Sequence, residues 1–335
     1  MGGMTIPTTT LGKTGPTVSA LALGCMALSG SYGSADDAES IRTIHAALDA
    51  GVNLLDTGDF YGFGHNEMLL GRALRERSRD DYLLSVKFGG LRTLDGGFVG
   101  FDGRPPAVGN FLGYSLTRLG VDHIDIYRPG RLDPAVPIEE TIGAIAEQVQ
   151  RGHVRHIGLS EVGAETIRRA AAVHPITDLQ IEYSVLSRGI EDGLLDTCRE
   201  LGIGITAYGV LSRGLIGSTK QEFTSNGSRT AWPRFQGDNL DRNLDLVAGL
   251  ESIAARHGIT VAQLAIAWVA AQGSDIVPLI GMRRVSRLQP AIDALAVRLT
   301  EQDLADIDRV LPAGAAAGSR YPEPLMANLD SERRS

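Results

Sequence analysis

The amino-acid sequence predicts a (β/α)8 barrel, the α/β fold known as a TIM barrel, in which eight parallel strands alternate with helices. Eight short apolar runs recur along the 335-residue chain, and longer segments with a helical period separate them. Several of these segments open with Asp, Asn or Glu and close with Gly, as helix capping requires. Eight such units fit a barrel of about 250 residues or more. A doubly wound sheet would need an early G-x-G-x-x-G fingerprint, and none follows the first predicted strand.

The predicted strands and helices follow each other in chain order. The strands cover residues 19–24, 53–56, 82–87, 123–127, 154–159, 178–182, 204–208 and 275–280. The helical patterns between them include DAESIRTIHAALDAG, NEMLLGRALRE, IEETIGAIAEQVQRG and EDGLLDTCRELG. Ahead of the first strand, TTTLGKTGPTVS places a Gly-Lys-Thr-Gly turn between β-prone residues. This pattern predicts an N-terminal β-hairpin that closes the bottom of the barrel.

Besides the N-terminal hairpin, two segments lie outside the alternating strands and helices. Residues 218–243 are polar, with Gly, Pro and aromatic residues and little periodicity, and a loop of that length in a compact domain is usually functional or disordered. Because the segment follows the seventh strand, it lies at the C-terminal face, and we interpret it as a lid over a ligand, with disorder as the alternative. We expect a single barrel domain over residues 1–318 and a partly mobile C-terminal tail over residues 319–335.

The composition narrows the range of partners. The chain is 43% hydrophobic and 21% charged, as is usual for a globular protein, and its net charge of -8 disfavours non-specific binding to nucleic acid or anionic membranes. A small-molecule partner is therefore favoured. The N-terminus lacks the basic and apolar regions of a signal peptide, and Cys25 and Cys198 are the two cysteines, so we expect a cytoplasmic protein. His153 and His156 fall on opposite faces of a strand, and we predict no metal site.

Polar residues at the C-terminal ends of the strands are the candidates for catalysis, because that face carries the active site of a (β/α)8 barrel. Asp56 ends the second predicted strand, Tyr61 lies in the loop after it, and Lys87 ends the third strand. A tyrosine with its ordinary pKa of about 10 is a poor acid or base at pH 7, and a nearby cation would favour its phenolate. Lys87 can supply that positive charge, and the Asp56 carboxylate can keep the lysine in place and charged. Taken singly, each residue is also compatible with a structural role.

The motifs that carry these residues resemble the aldo-keto reductase family. The strongest is GVNLLDTGDFYGFGHNEMLLGRAL, followed by SVKFG and SLTRLGVDHIDIY, and the resemblance runs from LGKTGPTVSALALGCM to VPLIGMRRVSRL. It implies a (β/α)8 barrel that transfers a hydride from NAD(P)H, usually NADPH, to an aldehyde or ketone. It also implies that Asp56, Tyr61 and Lys87 are three of four catalytic residues, with the tyrosine giving the alkoxide its proton.

The fourth catalytic position departs from the family's pattern. Family members typically have a histidine there, and the match to YRPGRLDP places Gly130 at that position. Arg128 lies two residues earlier on the same side of the strand, where a buried charge needs a partner. We expect Arg128 and Gly130 to belong to the substrate pocket, with Arg128 paired to Glu161 on the next strand. The alternative is that Arg128 bends to solvent and Gly130 only enlarges the pocket.

The resemblance also implies a set of cofactor contacts. Ser160 and Gln180 match positions that contact the nicotinamide carboxamide, Glu161 stands where the family more often has Asn, and Tyr208 matches the aromatic residue that stacks on the nicotinamide ring. Positions that match the phosphate contacts are Leu211, Ser212, Arg213, Gly214, Arg283, Ser286 and Arg287. Guanidinium groups at a helix start suit a 2′-phosphate, so we expect NADP(H) rather than NAD(H).

Two classes of function are compatible with these residues. The first is an NADPH-dependent carbonyl reductase in which Tyr61 donates the proton, with low or altered activity. The second is a catalytically weak NADP(H)-binding barrel that acts as a sensor or interaction subunit, because loss of a positioned hydrogen-bond donor weakens transition-state stabilisation. The Asp, Tyr and Lys residues favour the first class.

Overall fold

The structure is a computed structural model that describes residues 6–333 except 31, 32, 34, 221, 222 and 224–227. The strands, numbered along the chain, are β1 Thr8–Thr10, β2 Thr17–Ser19, β3 Ala22–Gly24, β4 Leu54–Gly58, β5 Leu83–Phe88, β6 Gly90–Arg92, β7 Phe98–Phe101, β8 Ile124–Pro129, β9 Val154–Ser160, β10 Ile176–Glu182, β11 Gly204–Tyr208 and β12 Ile276–Gly281. The α-helices are Asp37–Asp49, His65–Leu74, Pro105–Leu119, Ile138–Gln150, Ala164–Val173, Leu194–Leu201, Gly237–Ala248, Glu251–Arg256, Val261–Ala271, Leu288–Asp293, Glu301–Val310 and Glu323–Met326.

Eight parallel strands close into a (β/α)8 barrel in the order β3, β4, β5, β8, β9, β10, β11 and β12, which confirms the predicted fold. Each predicted strand is present within a few residues of its expected bounds. The first is the shortest, because Thr17–Ser19 pairs with Thr8–Thr10 instead. Buried aliphatic residues pack inside part of the barrel and in the layer between strands and helices.

The predicted N-terminal hairpin lies at the bottom of the barrel, as expected. The Lys13 N–H donates to the Gly202 carbonyl oxygen at 2.7 Å. A Cβ atom on Gly12, whose φ is +66°, would lie 2.2 Å from the Thr177 carbonyl oxygen. Glycine is therefore required where this turn presses against the starts of β10 and β11.

The segment predicted as an irregular lid is partly helical. A helix begins at Gly237, so the expectation of a loop up to residue 243 is wrong over its last part. Gly237 and the polar residues after it have loop composition, but Leu240 and Asn243 are buried on the inner face of that helix. Residues 221, 222 and 224–227 of the predicted lid lie outside the described residues.

The C-terminal segment packs on the barrel, in contrast to the mobile tail that we expected from residue 319. Leu329 is buried, and the Asp330 carboxylate accepts a hydrogen bond from the Gly163 N–H at 2.8 Å. The Ser331 N–H donates to the Glu161 carbonyl oxygen at 3.2 Å. Burial of apolar surface and backbone hydrogen bonds hold this segment against the C-terminal face.

A second hairpin, which was not predicted, follows β5. Strands β6 and β7 pair antiparallel, and Gly96 has a φ of +89° in the turn between them. The sequence Asp95-Gly96-Gly97 is a turn signal between two short β-prone runs, and it could have identified the hairpin. The hairpin extends from the C-terminal end of β5. It therefore lies beside the opening of the barrel at the C-terminal ends of the strands, which we call the mouth.

Within the described residues, no single helix has the length and apolar character needed to cross a membrane. The bent helix pair Gly237–Arg256 and Val261–Ala271 passes that test by length and composition, with an angle of 84° between its helices.

Candidate active site

Asp56 is the centre of a buried polar cluster at the C-terminal ends of β4 and β5. The two strands pair in a register that places Asp56 opposite Ser85 and Gly58 opposite Lys87. One carboxylate oxygen accepts a short hydrogen bond from Lys87 Nζ, and the other accepts from Ser85 Oγ at 2.8 Å and from Gln180 Nε2 at 2.7 Å. Asp56 and Lys87 are both buried, so this ion pair is shielded from solvent.

The charge of Lys87 depends on that pairing. Burial is the largest influence on the pKa of Lys87 and lowers it, and the positive charges of Arg128 and Arg131 act in the same direction. The negative charge of Asp56 opposes the shift and raises the pKa. Asp56 therefore stabilises the ammonium form of a lysine that burial would otherwise tend to neutralise.

Tyr61 lies next to this ion pair. It begins a 3-10 turn, Tyr61–Gly64, and Lys87 Nζ is 5.2 Å from the centroid of its ring. A Cβ atom on Gly58 would lie 3.4 Å from the Tyr61 ring, so the glycine lets the ring lie close to the strand end. The structure thus brings together Asp56, Tyr61 and Lys87, as the sequence predicted.

Gly130 does not enlarge a pocket, so the alternative expectation that it only enlarges the substrate pocket is wrong. Its N–H donates to the Phe88 carbonyl oxygen at 2.8 Å, which fixes the residue at the end of β8. A Cβ atom on Gly130 would lie 2.8 Å from Phe101 Cε1 and 3.0 Å from Phe60 Cε1. Two aromatic rings, one from the second hairpin and one from the residue before Tyr61, therefore fill the space beside residue 130.

This packing makes a steric prediction. Gly130→His is expected to lower the free energy of unfolding by about 1–3 kcal/mol, because the imidazole overpacks against Phe60 and Phe101. Adding Phe101→Ala removes the closer ring, so the double variant should lose less stability than the sum of the two single variants. Urea denaturation of the four proteins measures the coupling. Strict additivity would show that residue 130 and Phe101 do not compete for space.

Arg128 forms a buried ion pair, but with a partner other than the predicted Glu161. It is fully buried, its Nη1 donates to Asp178 Oδ2 at 2.9 Å, and its Nη2 donates to Ser85 Oγ at 2.9 Å. The expectations that Arg128 pairs with Glu161, reaches solvent or lines the substrate pocket are therefore all wrong. A Cβ atom on Gly158 would lie 3.0 Å from Arg128 Cζ, so this glycine on β9 lets the guanidinium cross to β10.

Glu161 instead binds the C-terminal segment. Arg320 donates to both of its carboxylate oxygens at 2.9 and 3.0 Å, and the Ser331 and Tyr208 hydroxyls each donate at 2.6 Å. Burial by itself would raise the pKa of Glu161, but the charge and hydrogen bonds of Arg320 lower it well below its ordinary value. Arg320 also pairs with buried Glu182 at 3.1 Å. The local sequence of residues 319–335 gives no signal of these long-range contacts.

The other predicted cofactor residues lie in three places. Ser160, Gln180 and Tyr208 lie at the ends of β9, β10 and β11, around the barrel mouth. The loop after β11 holds Leu211, Ser212, Arg213 and Gly214. Arg283, Ser286 and Arg287 are exposed near the short helix Leu288–Asp293. The mouth therefore offers a flat aromatic face, a hydroxyl and an amide, with guanidinium groups along one side, and this donor set fits an anionic dinucleotide.

The loop after β11 is held in a strained conformation. Ser212 and Arg213 have φ angles of +48° and +56°, in the left-handed region that only a few non-glycine residues adopt. Arg213 pairs with Glu182 at 2.7 Å, and its guanidinium lies 4.5 Å from the ring centroids of both Trp232 and Tyr321. These contacts join the predicted lid, the C-terminal segment and the loop, and such strain is typical of ligand-binding segments.

Asp59, two residues before Tyr61, is a buried carboxyl group with an incomplete set of hydrogen bonds. Its Oδ2 accepts from the Gly89 N–H at 3.0 Å, whereas its buried Oδ1 has no hydrogen-bond partner. Burial raises the pKa of Asp59 from 3.8 to about 7, although the Gly89 hydrogen bond opposes the shift.

A carboxyl group whose pKa is raised by folding binds more protons in the folded than in the unfolded state. The free energy of unfolding should therefore decrease as the pH rises from about 4 to about 7. In Asp59→Asn this part of the pH dependence should be absent, which urea denaturation across that range would measure. Identical pH dependence in the two proteins would contradict the assignment to Asp59.

Within the described residues, no group of three or more His, Cys, Asp or Glu side chains is arranged to hold a metal ion.

Comparison with known proteins gives one consistent result. The sequence pattern of the Aldo/keto reductase family matches residues 20–312. A probable aldo-keto reductase 1 from Glycine max is 43% identical over 316 residues, which cover 93% of this chain and 90% of that protein. A glycerol dehydrogenase from Gluconobacter oxydans is 30% identical with a TM-score of 0.82, and the match covers 91% of this chain and 94% of that one. An aldo-keto reductase from Bacillus halodurans, solved in its holo form, is 26% identical with a TM-score of 0.75, covering 93% and 98% of the two chains. The chain therefore belongs to the aldo-keto reductase family of oxidoreductases.

Proposed function

We propose that the protein reduces an aldehyde or ketone to an alcohol with NADPH as the hydride donor. The observation that carries this proposal is the buried ion pair of Asp56 and Lys87 beside the Tyr61 ring, at the C-terminal face of the barrel. A positively charged group fixed beside a phenol favours the phenolate, so the phenol can donate its proton more readily near neutral pH than an isolated phenol can.

Tyr61, Lys87 and Asp56 each have a separate role in the proposed reaction. When bound, the nicotinamide ring supplies the hydride. Tyr61 donates a proton to the substrate oxygen as negative charge develops there, and the ammonium group of Lys87 stabilises the phenolate that remains. Asp56 keeps Lys87 charged and oriented through the hydrogen bond to Nζ. A catalytic tyrosine without this ion pair would have to ionise against its ordinary pKa.

The donor set at the mouth supports the assignment of the cofactor. Ser160 and Gln180 would hold the nicotinamide carboxamide, and Tyr208 would stack on the ring. The loop residues Leu211, Ser212, Arg213 and Gly214 would approach the pyrophosphate, and Arg283, Ser286 and Arg287 the 2′-phosphate. Exposed guanidinium groups favour a phosphorylated ribose, so we propose NADPH over NADH.

Turnover assays test this function directly. The purified protein is mixed with NADPH and a panel of aldehydes and ketones, and the loss of NADPH absorbance is followed, with reactions lacking either protein or carbonyl as controls. We expect saturable turnover of at least one carbonyl and a lower kcat/KM with NADH in place of NADPH. Equal kcat/KM with the two cofactors would contradict the role of the arginines near β12.

A second candidate function is a catalytically weak NADP(H)-binding barrel that acts as a sensor or interaction subunit. The observation that favours it is the packing of Phe60 and Phe101 beside Gly130, since neither ring can donate a hydrogen bond to a carbonyl oxygen. Saturable binding of NADPH without turnover of any carbonyl in the panel would support this candidate and exclude the reductase.

A further inference from the structure

Arg131 directly follows Gly130, and its side chain turns back over that residue. Its Nη1 donates to the Gly130 carbonyl oxygen at 2.6 Å and to Ser160 Oγ at 3.2 Å, and its Nη2 donates to the Tyr321 hydroxyl at 3.4 Å. The guanidinium therefore lies between the ends of β8 and β9, beside the position at which the family places its catalytic histidine.

Arg131 differs in its partners from four other arginines at this face. Arg128, Arg213, Arg234 and Arg320 each have a carboxylate oxygen within 4 Å, at distances from 2.6 to 3.7 Å. Arg131 has no such carboxylate among the described residues, although it is only partly exposed. A guanidinium carries five N–H donors, and its neighbours accept from only two of the three nitrogens. Donors on Arg131 thus remain for a ligand at the mouth.

The guanidinium also acts on the catalytic residues through space. Its positive charge is one of the influences that lower the pKa of Lys87, after burial and the charge of Arg128, and against the charge of Asp56. The Arg131 guanidinium in turn interacts electrostatically with Tyr61 and Tyr208. Arg131 therefore influences the catalytic residues electrostatically and contacts Ser160, a predicted nicotinamide residue.

We infer that Arg131 donates a hydrogen bond to the carbonyl oxygen of the substrate and so supplies the contact that residue 130 cannot make. This inference rests on the proposed reductase function. Phe60 and Phe101 carry no donor, and Arg128 is fully buried and donates to Asp178 and Ser85. A guanidinium is always charged, and its hydrogen bond strengthens as negative charge develops on the oxygen, which is the requirement for lowering the barrier. Arg131 is then a catalytic residue.

Two substitutions and a matched control test this role. Arg131→Met removes the donors with little loss of length, Arg131→Lys keeps the charge, and Arg104→Met removes an exposed arginine that pairs with Asp102 outside the site. With a carbonyl that the wild type reduces, Arg131→Met should lower kcat by about 100-fold, whereas the dissociation constant for NADPH should change by less than about threefold. Arg131→Lys should retain an intermediate kcat, and Arg104→Met should match the wild type.

Added guanidinium ion, at concentrations that leave the protein folded, should restore part of the activity of Arg131→Met, and sodium chloride at equal ionic strength should not. A structural role would not produce this difference. Unchanged kcat in Arg131→Met would overturn the inference, and so would a loss of kcat that guanidinium and the lysine variant both fail to recover.

A binding measurement separates this inference from the proposed function. Acetate, whose carboxylate resembles a charged substrate oxygen, is titrated into the complex of the protein with NADP⁺, and protein fluorescence reports binding. We expect acetate to bind the wild type at least tenfold more tightly than Arg131→Met. If the wild type reduces no carbonyl, the proposed function fails, but the acetate titration still decides whether Arg131 binds an anionic oxygen. Equal acetate affinity in the two proteins would refute the role of Arg131 in either case.

Discussion

Replacing Tyr61 with phenylalanine is expected to lower kcat by about 10²- to 10⁴-fold with the carbonyl that the wild type reduces best. The substitution removes one hydroxyl group and leaves the ring, which lies against Gly58 and within 5.2 Å of Lys87 Nζ. Folding and cofactor binding should therefore change little. In the proposed mechanism the reaction then loses its proton donor, and the negative charge that develops on the substrate oxygen has no acid to neutralise it.

The measurement compares kcat, KM and NADPH affinity in Tyr61→Phe and in Tyr114→Phe. Tyr114 is exposed on the helix Pro105–Leu119, so its variant controls for the loss of a phenol elsewhere. We expect kcat to fall only in Tyr61→Phe and the dissociation constant for NADPH to stay within about threefold in both. Nearly full activity in Tyr61→Phe would mean that another group gives the proton, and the assignment of the catalytic residues would be wrong.

The barrel and the cluster of Asp56, Tyr61 and Lys87 could be predicted from the sequence. Both depend on short sequence patterns and on the order of the strands along the chain. Apolar runs bounded by capping residues give the strands, and consecutive strands are neighbours in a barrel. Asp56 and Lys87 lie near the ends of two successive runs, so their adjacency follows from the order of the strands alone. The structure confirms it through the register of β4 and β5.

The partner of Arg128 could not be predicted in the same way. The alternation of side chains correctly predicts that Arg128 lies inside the barrel, and the carboxylate at the end of the next predicted strand is that of Glu161. However, Glu161 has a φ of +53° and pairs with Arg320, which comes from the C-terminal segment. The residue that shares a layer with Arg128 is Asp178, two strands away, and it is reached only because Gly158 has no side chain.

Similar reasons explain why the aromatic packing at residue 130 was missed. The absence of a histidine side chain is visible in the sequence, but the atoms that fill its place come from Phe60 and from Phe101 on the second hairpin. Whether a hairpin folds over the mouth or away from it depends on contacts between distant segments. The ring of Phe60 lies 5.0 Å from that of Tyr61 and 6.0 Å from that of Phe101, so the three form one packed unit.

The buried ion pair of Arg128 and Asp178 should have a large effect on stability. Arg128→Met is expected to lower the free energy of unfolding by about 3–5 kcal/mol, because it leaves a charged Asp178 in the interior. The Asp178 carboxylate would keep a hydrogen bond from Thr206 Oγ1 at 2.5 Å, but its Oδ1 already lacks a partner. Desolvation of a charge that has lost its counter-ion is the physical cause.

The double variant Arg128→Met/Asp178→Asn separates the cost of the unpaired charge from the loss of packing. An amide at residue 178 can still bind Thr206 and carries no charge, so the double variant should be more stable than Arg128→Met by about 2 kcal/mol or more. Urea denaturation of the wild type, both single variants and the double variant gives the coupling energy. If Arg128→Met has the same free energy of unfolding as the wild type, the ion pair of Arg128 and Asp178 does not stabilise the barrel.

The same variants connect stability to chemistry, because the ion pair continues into the catalytic cluster. Arg128 donates to Ser85 Oγ, which donates in turn to Asp56, the partner of Lys87. Loss of the guanidinium frees Ser85 to reorient and removes one positive charge that lowers the pKa of Lys87. In Arg128→Met we therefore expect the basic limb of the pH profile of kcat, where it reports Lys87, to move to higher pH. A basic limb that moves to lower pH would show that Arg128 acts on Lys87 by some means other than its charge.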